Sequence, residues 1–64
     1  MIVYRDPDNG CYVERRFEGT AARREWFYSV IRFGDDGARH QIARYASLQV
    51  AISVCRAQAV QGAA

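Results

Sequence analysis

The side chains able to do covalent or metal chemistry are few. The chain has one histidine, His40, two cysteines, Cys11 and Cys55, serines at 29, 47 and 53, and adjacent carboxylates at Asp35 and Asp36. A metal site built on imidazoles needs more than one histidine. Cys11 and Cys55 lack the Cys-x-x-Cys spacing of zinc ligands. Nucleophilic catalysis would set Ser29, Ser47, Ser53 or a cysteine against His40 as base, with an aspartate to orient it, yet no nucleophile-elbow spacing surrounds any of them. His40, in a strand-like segment, reads as a half-buried neutral side chain. Asp35 and Asp36 fall in a turn, where water screens them and no cleft is implied. The run Asp6-Pro7-Asp8-Asn9-Gly10 spaces two aspartates like the first ligands of a calcium loop. Its glycine comes one position early, however, and Phe17 stands where the bidentate glutamate belongs, so an ordinary turn is expected. Gly10, Gly19, Gly34, Gly37 and Gly62 are dispersed, which leaves a phosphate-cradling loop unsupported. The expectation is a protein that is not an enzyme and uses no metal or cofactor.

Binding chemistry remains. All nine basic residues are arginine, against seven acids, for a net charge of +2. GC-rich codon usage explains such a skew, and the Ala-rich stretch from Ala38 to Ala64 agrees with it. Selection for guanidinium groups explains it too, because they grip phosphate or carboxylate with two parallel bonds and stack on rings. Arg15, Arg16, Arg23, Arg24, Arg32 and Arg39 lie in or beside strand-like segments, with Trp26 and Tyr28 among them. Stacking rings beside arginines suit single-stranded nucleic acid. Trp, Tyr and Arg are equally the residues that dominate protein interfaces. The near balance of charge favours a protein partner, since phosphate binders are usually more basic.

These residues must be positioned by a single small α+β domain spanning residues 1–64. Half of the residues are hydrophobic and a quarter charged, too apolar for a disordered chain. At 64 residues the chain sits near the lower limit for folding without metal, disulfide or partner subunit, so a homodimer is expected to help. Met1 leads into Ile-Val-Tyr-Arg-Asp-Pro with neither a basic start nor an apolar core, so no signal peptide is expected. No stretch approaches the roughly 20 apolar residues that span a bilayer. A cytoplasmic location follows as the default, with both cysteines reduced and no membrane partner.

Met1–Arg5 reads as a strand stopped by the Asp6–Gly10 turn, and Cys11–Glu18 as a second strand with two-residue alternation. Glu25–Phe33 crowds aromatic and β-branched groups too densely for a helix and reads as the central strand. Gly34–Gly37 is a hairpin signal, and Ala38–Ala46 the returning strand. Ser47 is a good N-cap. Leu48, Ala51, Ile52, Cys55 and Ala59 then recur at helical spacing, giving a helix expected to end near Val60 with Gly62 as its C-terminal cap. An alternative places a helix from Thr20 through Phe33 and a second from Ala38, a helix-turn-helix arrangement suited to a DNA-binding regulator.

If the hairpin loop is Gly34–Gly37, Phe33 opposes Ala38. Phe27, Ile31, Phe33 and Ile42 then share the helix-facing side with Val13 and Phe17, beneath Leu48, Ile52 and Cys55. The open side carries Trp26 and Tyr28 as flat anchors and Arg32 and Arg39 as anion forks, with Arg15, Arg16, Arg23 and Arg24 as outlying charge. A second apolar strip on the helix, Val50, Val54 and Ala57, is the candidate self-association surface. The fold class expected is a small antiparallel sheet of three to four strands, built from β-hairpins, with one C-terminal helix packed on one face. In size and in lacking a catalytic motif the chain is similar to short proteins of phages and mobile elements, anti-CRISPR inhibitors among them. That likeness implies an adaptor or an occluding inhibitor.

Overall fold

The computed structural model describes residues 1–20 and 22–59. Four strands, β1 (Ile2–Arg5), β2 (Tyr12–Thr20), β3 (Arg23–Phe33) and β4 (Arg39–Tyr45), form one antiparallel sheet in the order β1-β2-β3-β4, followed by helix α1 (Leu48–Arg56). The α+β architecture is the one the residue patterns predict. Arg23–Phe33 is a strand throughout, which removes the helix-turn-helix alternative. Six bulky groups in eight residues leave a helix no polar side, whereas a strand separates them onto two faces.

The helix-facing side differs from the expected one. Val13 pairs with Val30 and Arg15 with Tyr28 across β2 and β3, so these side chains share a face. It is this face that α1 covers. The buried cluster is Cys11, Val13, Val30, Ala51 and Cys55, with Tyr4, Tyr28, Tyr45, Leu48 and Ile52 packed round it. Phe27, Ile31 and Phe33 lie on the opposite side. The reversal originates at β2, whose register sets Val13 opposite Val30 and Phe17 opposite Trp26, so the apolar side of β2 joins Trp26, Tyr28 and Val30 rather than Phe27 and Ile31. The β3–β4 hairpin also departs from the expected pairing. Phe33 pairs with Arg39 rather than Ala38, because Gly34 donates to the Ala38 carbonyl at 2.9 Å and lengthens the loop by one residue. The register then slips again between Val30 and Ile31, a bulge that puts Val30 opposite Ala43 and Ile31 opposite Gln41. Small residues at the helix contact let α1 approach closely, so Val, Ala and Cys fill it better than phenylalanines would.

The uncovered side shields itself. Tyr12 is 4% and Ile31 8% exposed although no helix overlies them. Ser29 donates to Gln41 Oε1 at 2.8 Å, Arg44 lies over the Phe27 ring at 4.0 Å, and the Tyr12 and Phe33 rings meet at 6.2 Å. Long polar side chains lay their stems over apolar neighbours and keep their charged ends in water.

Helix α1 starts as expected, with Ser47 Oγ accepting from the Val50 N–H at 3.3 Å. It ends at Arg56, earlier than Val60, and the proposed Gly62 cap lies outside the described residues. The stop has a visible cause. The Asn9 carboxamide donates to the carbonyls of Cys55 (2.9 Å) and Gln58 (3.1 Å) while accepting from the Cys11 N–H at 2.8 Å. One buried side chain thus caps the helix and ties it to the β1–β2 turn. Asp6 holds that turn by accepting from the Asp8 and Asn9 N–H groups at 2.9 and 3.1 Å. Those bonds, chiefly, hold its carboxyl below the usual carboxylate range. Cys11 and Cys55 are free thiols, fully buried, and burial first, with Cys11 alongside, pushes the Cys55 thiol up to about 12. Among the described residues, no helix is long and apolar enough to cross a membrane.

Candidate partner-binding site

A nine-residue helix is about 14 Å long, the span of roughly four strand residues, whereas β3 has eleven. Part of the sheet must therefore extend beyond the helix. β1 reaches along β2 only to Glu14, with Met1 adding bonds to Arg15, and β4 reaches along β3 only to Tyr28. From Arg16 to Thr20 and from Arg23 to Phe27 the two central strands continue as a two-stranded arm, and the molecule measures 48 × 23 × 15 Å.

Strand alternation sorts the arm's chemistry by face. On the helix side Phe17 opposes Trp26, with rings edge-on at 5.3 Å, and both are about half exposed. Arg15 lies over the Trp26 ring at 4.8 Å, and Arg24 stands 5.9 Å from the Phe17 ring. Gly19 pairs with Arg24 and supplies no side chain, which opens a pocket of about 540 Å³ lined by Phe17, Gly19, Thr20, Arg24 and Trp26. Only glycine fits there. Its φ is +127°, and a Cβ would collide with the Arg23 carbonyl oxygen. On the other face lie all three glutamates of the chain, each with an arginine: Glu14 with Arg16 at 2.9 Å, Glu25 with Arg23 at 3.6 Å and Glu18 with Arg44 at 2.6 Å.

Arg15 and Arg24 are thus left with rings instead of carboxylates, and neither makes an ion pair among the described residues. The Arg15 Nε is shielded from solvent with no acceptor among those residues. A guanidinium over an aromatic face keeps its in-plane N–H groups available to an anion, although Arg15 already donates from Nη2 to Met1 Sδ at 3.9 Å.

The four central residues of the predicted site do not form one surface. Trp26 and Tyr28 do share a face, but it is the helix side. Tyr28 is half-buried against the core and Trp26 stands beyond the helix. Arg32 is half-buried and donates to Gln58 Oε1 at 3.3 Å. Arg39 pairs with Phe33 on the uncovered face and lines an open pocket with Tyr12. Of the outlying arginines, Arg15 and Arg24 join Trp26, while Arg16 and Arg23 belong with the glutamates behind. Phe17, assigned to the core from its parity, lies half exposed on the arm against Trp26. The missed signal lies in the β2–β3 register, since Thr20 opposite Arg23 places Phe17 opposite Trp26. The helix strip divides: Val50 and Ala57 are exposed, whereas Val54 packs against the core. His40 is exposed at the hairpin turn, its Nε2 3.6 Å from Asp36 Oδ1. No protein-family model, curated protein or solved structure matches the chain.

Proposed function

We propose that the chain is a non-catalytic binding module that holds a protein partner on the helix side of its β2–β3 arm, through Arg15, Phe17, Arg24 and Trp26. The observation that carries this reading is the pairing of two guanidinium groups with half-exposed rings on a face without a carboxylate. Arg and aromatic groups clustered round a pocket are the usual centre of an energetically important interface. The mode of action that suits so small a chain is that of an adaptor, or of an inhibitor occluding a larger machine, as short phage and mobile-element proteins do.

Nucleic acid is the competing class, and the arrangement of charge argues against it. On the back of the same two strands Glu14, Glu18 and Glu25 offset Arg16, Arg23 and Arg44, which leaves Arg15 and Arg24, among the described residues, as the arm's two guanidinium groups without a carboxylate, a small charge with which to hold a polyanion. Short-range recognition of an individual carboxylate is less affected. The test is capture from a lysate of the source cell, with and without nuclease, by wild type and by Trp26→Ala with Arg24→Ala. A nuclease-resistant protein band lost in the double variant supports the assignment; wild-type capture by that variant, or a band that vanishes with nuclease, refutes it.

A further inference from the structure

The arm also carries unpaired backbone. The Arg15 N–H donates to the Met1 carbonyl at 2.8 Å and the Met1 amino group to the Arg15 carbonyl at 3.3 Å, so Arg15 turns its backbone groups toward β1. In an antiparallel strand, alternate residues turn theirs to the same edge. Phe17 therefore presents its N–H and C=O groups, and Gly19 its N–H, along the outer edge of β2, where β1 has ended. The equivalent edge of β3 is guarded by the charged run Arg23-Arg24-Glu25. That of β2 has no proline, lysine or bulge to deter pairing. Its two charged side chains, Arg16 and Glu18, are engaged across the back face.

Resting on the proposed protein-binding role of the arm, we infer that this β2 edge receives an extended acidic segment of the partner as a fifth strand. Its backbone pairs with Phe17 and Gly19, and a carboxylate on the helix side reaches Arg24, which leans from β3 toward the Phe17 ring. Strand addition draws affinity from main-chain bonds and specificity from side chains on one face. Here that face offers guanidinium groups, rings and no acid. A second copy of this chain fits the edge poorly. Antiparallel β2–β2 pairing about a two-fold axis puts both helix sides on one surface, which adds rings and guanidinium groups but supplies no carboxylate for Arg24.

Trp26 is the only tryptophan, so its fluorescence reports the site directly. The probes are a peptide of alternating Glu and Val, the same peptide N-methylated at alternate amides, a Lys–Val peptide and oligo(dT). The expected result is a saturable change with the Glu–Val peptide and slowed amide exchange at Phe17 and Gly19. Arg24→Gln should weaken it roughly tenfold, as expected for one charge-assisted bond, and N-methylation should abolish it. Equal binding of the N-methylated peptide overturns strand addition while leaving the side-chain site intact. Binding of oligo(dT) or the Lys–Val peptide in place of the Glu–Val peptide overturns the acidic partner. Protection of Phe17 and Gly19 by self-association in free protein overturns it in favour of a second copy.

Discussion

The body and the arm are stabilised by different means. In the body, Val13 and Val30 meet Ala51 and Cys55 under the helix, and a buried carboxamide joins turn, strand and helix. In the arm, two strands have only each other, and their side chains pair across the ladder in ring contacts, cation–ring contacts and exposed ion pairs. Burial dictates residue identity in the body. The arm's Phe17 and Trp26 are outside the core, so their presence on one face with Arg15 and Arg24 needs a reason other than folding. The contrast predicts that body substitutions unfold the molecule, and arm substitutions change binding with the fold intact.

The largest effect expected is in the body. Asn9→Ala strands the Cys11 N–H and two helix-end carbonyls, at a cost of roughly 2–4 kcal/mol on the scale of unsatisfied buried groups. For a domain this small that is much of its stability. Urea unfolding followed by far-UV circular dichroism measures it; an unchanged midpoint would show that the node is dispensable.

The arm counterpart is Gly19→Ala. The new methyl group collides with the Arg23 carbonyl at a positive φ, a local strain of about 1–3 kcal/mol. Because the arm contributes little to the core, the expected outcome is lost amide protection from Arg16 to Phe27 with a nearly unchanged urea midpoint. Global unfolding in step with the arm would erase the distinction between the two regions.

The same contrast decides what was legible in the sequence. Element order, the Ser47 cap and the α+β class follow from local signals, namely alternation, turn residues and helical spacing. Those signals lie within a few residues of one another. Which face of β3 meets the helix does not, because it depends on the β2–β3 register, in which Thr20 opposite Arg23 brings Val13 opposite Val30. A one-residue change in that register exchanges the face of β3 that Val13 and Phe17 join, and with it the side of the sheet on which Trp26 and Tyr28 lie. Arg32 keeps the parity of Trp26 and Tyr28, whereas Arg39 leaves that face because the five-residue loop sets it opposite Phe33. Helix length was the neglected constraint, since nine residues cannot cover eleven residues of strand.

Acid and base should also separate the regions. The Asp6 carboxyl is held below its ordinary range, so the stability it gives is complete above that range and lost as pH falls through its folded value. Cys55 is raised from 9.0 to about 12, so its contribution is complete below pH 9 and lost as pH climbs toward 12. Both groups belong to the body. Chemical denaturation from pH 2 to 12 should therefore show losses at both extremes, with Cys55→Ala flattening the alkaline limb and Asp6→Asn the acid one. Retention of the wild-type limbs in these variants would move the titration elsewhere.

The smallest effect concerns Arg44, which joins the regions from a neighbouring strand across the back face. Arg44 belongs to β4, in the body, yet it reaches Glu18 on the arm at 2.6 Å and covers Phe27 on the way. Both partners of the ion pair are at least half exposed, so water and salt screen it, and a double-mutant cycle of Glu18→Gln with Arg44→Gln should give about 0–1 kcal/mol. Its geometric effect should exceed its energetic one, because no backbone bond beyond Tyr28 fastens the arm to β4. Releasing the pair is expected to raise nanosecond motion at Trp26, read as lower fluorescence anisotropy, with the urea midpoint unchanged. Phe27→Ala removes the surface on which Arg44 rests and should loosen the arm further than Glu18→Gln alone. Unaltered anisotropy in both variants would mean that the two strands hold the arm's direction by themselves, and that the tether acts only as a surface charge pair.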